Sequence, residues 1–371
     1  MKKLRVLSVF GTRPEAIKMI PLVRELARQE AFESLCAVTA QHRQMLDSVL
    51  DIFGLKPDYD LDIMESRQSL FTITAKALTG MEGVLAAAKP DLVLVHGDTS
   101  TTFVGALAAF YGKIPVGHVE AGLRTYDKYS PFPEEMNRCL VSRIAALHFC
   151  PTEANVENLR REGITQGVYQ TGNTVIDALQ TTVKEDYTFA ESALRELDFE
   201  KKRVILVTCH RRENYGQPME DILSALAEVA REFDDVELVY PVHLSPVVQE
   251  AAHRHLDGLP NVRLIPPVDV ADMHNLMARC HLVLTDSGGL QEEAPSLGKP
   301  VLVLRRETER PEAVIAGTVK LAGVKKEDIL AMTREMLTDE GAYAAMAHAA
   351  NPYGDGTACR RIAAAIQEYF S

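Results

Sequence analysis

The chain has 371 residues, 46% of them hydrophobic and 25% charged, an ordinary composition for a globular protein but more chain than one usual core holds, so two domains are expected. The formal net charge of −12 argues against a general nucleic-acid binder, which needs a basic footprint. No uninterrupted apolar run reaches the roughly 18 residues of a membrane span, so no transmembrane helix is expected.

In chain order, short β-branched runs alternate with helical patterns. The N-terminal "MKKLRVLSVFGTRPE" has a brief apolar part and no small-residue cleavage site, so it reads as the first strand of a cytoplasmic protein. "PEAIKMIPLVRELARQ" follows, with Ile17, Ile20, Val23, Leu26 and Ala27 at helical spacing. "SLCAVTA" leads into "QHRQMLDSVLDIFG", and "DLVLVHGD" into "TSTTFVGALAAFYG"; "IPVGHVEA" and "LHFCPT" come next. After about Gly172 the alternation restarts with "RVILVTCH", "VELVYPV", "VRLIPPV", "HLVLTDSG" and "PVLVLR". Strands apolar on both faces, separated by helices, form parallel sheets covered on both sides. The fold class expected is therefore α/β: two Rossmann-like domains, residues 1–172 and 173–354, facing across a cleft, with a C-terminal helix in 355–371 that packs back on the first.

The six cysteines, Cys36, Cys139, Cys150, Cys209, Cys280 and Cys359, form no CxxC pair and read as buried free thiols. No HExxH or paired Cys/His spacing suggests a metal. Neither GxGxxG nor GxxxxGK[ST] occurs, so neither a nicotinamide cofactor nor a P-loop is expected, and no cofactor is assigned.

In open α/β sheets, ligands bind beyond the carboxyl ends of strands, and the polar loops of this chain follow the strands. An acidic protein that binds an anion must supply cations locally. "FGTRPE" puts Arg13 and Pro14 at a helix start, and "TDSGG" offers the Ser287 hydroxyl with free amides at Gly288 and Gly289. "TCHRREN" groups His210, Arg211 and Arg212. A tight turn and a solvated charge cluster are the plainer readings of the last two. Asp98 and Glu120 follow apolar runs at strand ends in the first half, where burial would raise a carboxyl pKa and suit it to acid/base work, and Glu134 in "SPFPEEMNR" is a further candidate acid. Asp98 could instead cap the following helix, and Glu134 could be a first-turn residue. Glu292 and Glu293 follow the Ser-Gly-Gly turn within about one helical turn, an odd place for carboxylates beside an anion.

"VFGTRPEAIKM", "HGDTSTT", "PVGHVEAGLRT", "SPFPEEMNR", "HRREN", "TDSGGLQEEAPSLGKPVLVLR" and "TERPEA" together resemble the non-hydrolysing UDP-N-acetylglucosamine 2-epimerases from Arg5 to about Ile366. The resemblance implies a glycosyltransferase-B type architecture, a homodimer, and interconversion of UDP-N-acetylglucosamine and UDP-N-acetylmannosamine. That reaction runs by elimination of UDP to 2-acetamidoglucal and re-addition, and supplies surface polysaccharide synthesis. It implies Asp98, Glu120 and Glu134 as acids and bases. Arg13, His210, Ser287, Gly288 and Gly289 match the diphosphate side, and Lys18 and Arg310 match further binding positions. Val268 and Met273 match the loop around uracil, and Glu293 matches the acceptor of ribose hydroxyls. Glu292, about 100° around the helix, is expected to point elsewhere in a structural role. Arg306 and Glu307 depart from the Asp-Thr that often stands there in relatives.

"TAQHRQ", "SRQSL" and "YPVH" further resemble the form in which a second UDP-N-acetylglucosamine binds as effector, implying contacts from Gln41, Gln44, Arg67, Glu134, Arg211 and His243. A hydrolysing relative, or a UDP-sugar binding protein without turnover, are the alternatives on the same fold.

Overall fold

The structure, a computed structural model, describes residues 2–40, 43–65 and 68–371. The chain divides into two compact units, Met1–Thr181 with Tyr353–Ser371, and Thr182–Pro352. The first division falls nine residues after the sequence boundary at 172 (181 − 172), because the helix that opens at Thr174 belongs to the first unit almost to its end. There, Asp177 accepts from the amides of Ala358 (3.2 Å) and Cys359 (2.9 Å).

The first unit is built from β1 (Leu4–Phe10), α1 (Arg13–Arg28), β2 (Phe32–Val38), α2 (Arg43–Phe53), β3 (Tyr59–Asp60), α3 (Leu70–Ala88), β4 (Leu92–His96), α4 (Ser100–Tyr111), β5 (Val116–Val119), α5 (Glu134–Ile144), β6 (Leu147–Cys150), α6 (Glu153–Arg161), β7 (Val168–Gln170) and α7 (Thr174–Thr182). Its seven strands are all parallel, in the order β3-β2-β1-β4-β5-β6-β7. The second unit contains α8 (Ser192–Arg195), β8 (Arg203–Thr208), α9 (Gln217–Glu232), β9 (Val236–Pro241), α10 (Pro246–Leu256), β10 (Val262–Ile265), α11 (Val270–Arg279), β11 (Leu282–Thr285), α12 (Gly288–Glu293), β12 (Val301–Val303), α13 (Pro311–Ala316), β13 (Val319–Leu321), α14 (Lys326–Thr338) and α15 (Glu340–Ala347). Its six parallel strands run β10-β9-β8-β11-β12-β13. The last helix, α16 (Ala358–Tyr369), packs on α1 of the first unit.

Both sheets reverse their winding at one place, between β1 and β4 and between β8 and β11. At such a point the two adjacent loops diverge to opposite faces and leave a crevice at the strands' carboxyl ends. The strands earn their central positions by composition. Val6, Leu7, Val9, Leu92, Val93, Leu94 and Val95 are fully buried in one sheet, as are Ile205, Leu206, Val207, Leu282, Val283 and Leu284 in the other. Five of the six cysteines are buried, and all six are free; Cys139 is partly exposed. Among the described residues, α3 is the one helix long and apolar enough, by length and composition, to cross a bilayer. Core helices meet the same test, and Ala77, Met81, Val84, Leu85 and Ala88 of this one lie in the first unit's core.

Two histidines sit side by side in that core. His118 on β5 and His148 on β6 are register partners and both are buried. His118 Nε2 lies 2.7 Å from the carbonyl of Gly97. Burial pushes His118 down to about 3 and His148 down to about 4, and the nearby Arg124 adds to both effects. The unfolded chain takes up these protons near pH 6.5, and the folded chain does not until far lower. Stability from this pair is therefore complete above pH 6.5 and is lost as pH falls from there toward 4 and 3. We expect the unfolding free energy from urea titration to drop steadily between pH 6.5 and 4.5, by on the order of several kcal/mol in total, and His148→Gln to flatten that slope. An unchanged slope in the variant would remove the assignment.

Candidate active site

In the first unit the site is assembled around one buried carboxylate that sequence reasoning passed over. Glu15 is 2% exposed. Its Oε2 accepts from the amides of Gly11 (3.0 Å) and Thr12 (2.8 Å) and from the Thr12 hydroxyl (2.7 Å). Its Oε1 accepts from the hydroxyls of Thr99 (2.7 Å) and Thr102 (3.1 Å). Glu15 thus fastens the loop after β1 to the loop after β4, across the point where the sheet reverses. Gly11 has to be glycine for the same closeness: a Cβ there would stand 2.0 Å from Thr39 Oγ1 and 2.5 Å from Thr101 Oγ1. Arg13, the first residue of α1, is left exposed at the helix start, beside amides that favour an anion.

Asp98 follows β4. It does not cap α4; Thr99 does, accepting from the amide of Thr102 (3.1 Å). The Asp98 carboxylate instead takes Arg138 Nη2 at 2.5 Å, and its carbonyl takes Asn137 Nδ2 at 2.8 Å. Arg138 is itself fixed by buried Glu135 (3.1 Å), whose carboxylate also accepts from the amides of Thr125 and Tyr126. Helix α5 therefore aims one arginine at Asp98 and presents Glu134, half-buried, in its first turn.

Glu120 follows β5 at φ +61°, a left-handed conformation that costs a non-glycine residue about 1–3 kcal/mol and persists where surrounding contacts enforce it. Its Oε2 lies 2.5 Å from Lys18 Nζ and 2.8 Å from His96 Nε2. Here the expectation from sequence is corrected. Burial does oppose ionisation of Glu120, but the Lys18 ammonium and His96 imidazole outweigh it and hold the carboxyl well below the usual range. Glu120 is therefore a carboxylate at neutral pH.

The second unit gathers donors. Asp286, fully buried after β11, accepts through Oδ2 from the amides of His210 and Arg211 (both 2.7 Å) and from Asn214 Nδ2 (3.2 Å), while its Oδ1 lies 3.2 Å from His210 Nδ1. The ring of His210 stacks on that of His243, with centroids 5.4 Å apart. Burial pushes the His210 imidazole down, against the pull of Asp286, and His243 and Arg211 push the same way as burial. The guanidinium groups of Arg310 and Arg211 converge on Gly288, at 3.7 and 4.0 Å from where a Cβ would be. Backbone amides at the start of α12, two guanidinium groups and an imidazole are the kinds of group that favour an anion.

Both carboxylates that follow the turn have cationic or donor partners. Glu292 is buried and accepts from Arg310 Nε, so it does not point away as expected but holds that arginine in place. Glu293 folds back over Gly289, with Oε1 3.2 Å from a Cβ position there, and its Oε2 lies 3.3 Å from His274 Nε2. Val268 and Met273 are partly buried, before and within α11. Arg306 and Glu307 are exposed, so the departure they represent falls outside the held network, in which Thr308 bridges the Arg310 amide (3.0 Å) and Gln291 Oε1 (2.6 Å).

With this geometry in view, the comparisons with known proteins decide the family. The family model described as UDP-N-acetylglucosamine 2-epimerase matches residues 24–367. The chain is 57% identical over 363 residues to the UDP-N-acetylglucosamine 2-epimerase of Bacillus subtilis, covering 98% of this chain and 94% of that protein. The chain belongs to the UDP-N-acetylglucosamine 2-epimerases. It is also 53% identical over 373 residues to the Escherichia coli K12 enzyme of that name, covering 98% of each. The crystal structure of the UDP-GlcNAc 2-epimerase of Neisseria meningitidis bound to UDP-GlcNAc superposes with a TM-score of 0.88 at 48% identity, covering 98% of this chain and all of that one.

Within this epimerase, the structure brings Lys18 and Glu120 together in one unit and His210, Arg211, His243, Gly288 and Arg310 together in the other. Gln44 is exposed in the first turn of α2, and Gln41 and Arg67 lie outside the described residues. Five residues were not singled out from sequence: Glu15, His96, Arg138, Asp286 and His274. Four of them stand inside the motifs that carried the resemblance, and that membership is the signal that could have found them.

Proposed function

We propose that this epimerase interconverts UDP-N-acetylglucosamine and UDP-N-acetylmannosamine without net hydrolysis. The observation that carries the reading is Glu120, an ionised carboxylate at a strand end between Lys18 and His96, in the same unit as Asp98 and Glu134. One carboxylate removes the C2 proton while the C1–O bond breaks. Its electron pair leaves with UDP, and a C1–C2 double bond gives 2-acetamidoglucal. UDP then adds back at C1 as a second acid returns a proton to the opposite face of C2. Asp98, Glu120 and Glu134 are the groups assigned to these transfers. C2 is a weak acid, so the departing diphosphate has to be strongly stabilised. Arg13, Lys18, His210, Arg310 and the Ser287, Gly288 and Gly289 segment are assigned to that end, Glu293 to the ribose, and Val268 and Met273 to the uracil. That the Neisseria relative is described as bound to UDP-GlcNAc supports the substrate.

The reading extends to a second UDP-N-acetylglucosamine acting as effector on Gln41, Gln44, Arg67, Glu134, Arg211 and His243, to a homodimer, and to a role supplying surface polysaccharide synthesis. Exposed Phe71, Phe110 and Tyr111 on α3 and α4 support self-association, which the mass in solution checks. For the reaction, incubation with UDP-N-acetylglucosamine in heavy water, followed by NMR, is expected to give both UDP-sugars with deuterium at C2. Free N-acetylmannosamine as the main product would show the hydrolysing reaction instead. UDP-N-acetylmannosamine alone is expected to stay inert until a trace of its epimer is added; prompt turnover without it removes the effector.

A further inference from the structure

Glu293 poses a physical problem if it faces a ribose. A glutamate on a short helix has three rotatable bonds, and a free carboxylate beside a diphosphate is pushed away from it. The structure shows what opposes this. His274, 2% exposed on α11, places Nε2 3.3 Å from Glu293 Oε2. A carboxylate oxygen only accepts, so the proton between them belongs to Nε2. The far side of the ring is held too: His274 Nδ1 lies 2.7 Å from the buried Thr182 hydroxyl. Next to it, Asn275 binds the Thr182 carbonyl (2.8 Å) and the Lys184 amide (2.9 Å), so the segment carrying Thr182 is fixed to the same helix. On the other flank, Glu293 Oε1 folds over Gly289, where the absent side chain leaves it room.

We propose that His274 is a positioning residue of the nucleotide site: held by Thr182, it fixes Glu293 in the orientation that accepts from ribose hydroxyls. The inference rests on the assignment of Glu293 to the ribose. A buried ring held by Thr182 at Nδ1 and set beside the carboxylate at Nε2 orients that carboxylate far better than a solvated side chain does, and it leaves the other oxygen's lone pairs for the ligand.

The test compares binding of UDP with binding of 2′,3′-dideoxy-UDP by calorimetry in the full chain. The wild-type protein prefers UDP. Glu293→Gln is expected to reduce that preference by about tenfold or more, and His274→Met to reduce it by a similar factor, with affinity for the dideoxy nucleotide changed less than about twofold in each. That unchanged affinity also shows that the variants are folded. His274→Gln, which keeps a donor near the Nε2 position, is expected to restore most of the preference. Thr182→Val is expected to reduce it by about threefold, an intermediate loss, and serves if the methionine variant does not fold. A full preference in His274→Met or in Thr182→Val, alongside a loss in Glu293→Gln, overturns the positioning role. A full preference in Glu293→Gln overturns the ribose assignment itself.

Discussion

Glu120→Gln is expected to lower the rate of C2 deuterium exchange by about a thousandfold while leaving UDP affinity within a few fold. The substitution is nearly isosteric, so the effect isolates charge. In the wild-type protein, Lys18 and His96 both meet one oxygen of Glu120 and keep it ionised. An amide at that position takes no proton, and it leaves Lys18 and His96 facing each other without a shared anion. Two controls follow from the geometry. Because Glu120 is held well below the usual carboxyl range, the acidic limb of the pH–rate profile in the wild-type enzyme has to come from another group. The stability that this carboxylate contributes is present above its unfolded value, near pH 4.5, and is lost only as pH falls through the lower folded value. Removing it costs about 3–5 kcal/mol at neutral pH, the usual penalty for orphaning partners in a buried ion cluster. A melting curve therefore belongs beside the exchange assay. If Glu120→Gln exchanges C2 deuterium at the wild-type rate, the base is one of the other carboxylates, and Asp98 on Arg138 is next in line.

The sequence makes strands and their ends visible because two-sided burial writes itself as continuous apolar runs. Every loop named from that pattern, from "FGTRPE" to "TDSGG", does follow a strand. Pairings are less visible. Arg138 reaches Asp98 across 40 residues and His274 reaches Thr182 across 92, and no local pattern carries those distances. Glu15 in "TRPEA" looks like an ordinary first-turn acid, and only the fold shows that one carboxylate gathers five donors from two loops. The same limit explains the reversed pKa of Glu120. Burial can be inferred from an apolar strand, but the two partners, Lys18 and His96, come from α1 and from the neighbouring strand β4. The double glutamate after Ser-Gly-Gly becomes intelligible for the same reason, since Arg310 and His274 lie 18 and 19 residues away on opposite sides of it in sequence (310 − 292 and 293 − 274).

Asp286→Asn is expected to reduce turnover by about a hundredfold and to move the pH limit set by His210 toward lower pH. Asp286 does two jobs with its two oxygens. Oδ2 gathers the His210 and Arg211 amides and Asn214, which shapes the loop that delivers both side chains. Oδ1 lies 3.2 Å from His210 Nδ1, where its charge favours a proton on that ring. Burial, His243 and Arg211 already push the His210 imidazole toward its neutral form, and Asp286 is the group that pulls it back. Asparagine can keep its carbonyl on the two amides, so the loop survives. Its NH2 then points at Nδ1, which must accept, and the charge that favoured an imidazolium is gone. The imidazolium form, the one that best meets a departing diphosphate, is then populated only at lower pH. Asp286→Ala separates the two jobs. It leaves two buried amides without an acceptor, at a cost of about 1–3 kcal/mol for each, and is expected to lower the melting temperature where the asparagine variant does not. The decisive measurement is kcat against pH for Asp286→Asn. A profile that keeps its wild-type position would mean that His210 does not act as a cation in the reaction and serves the diphosphate only as a neutral donor.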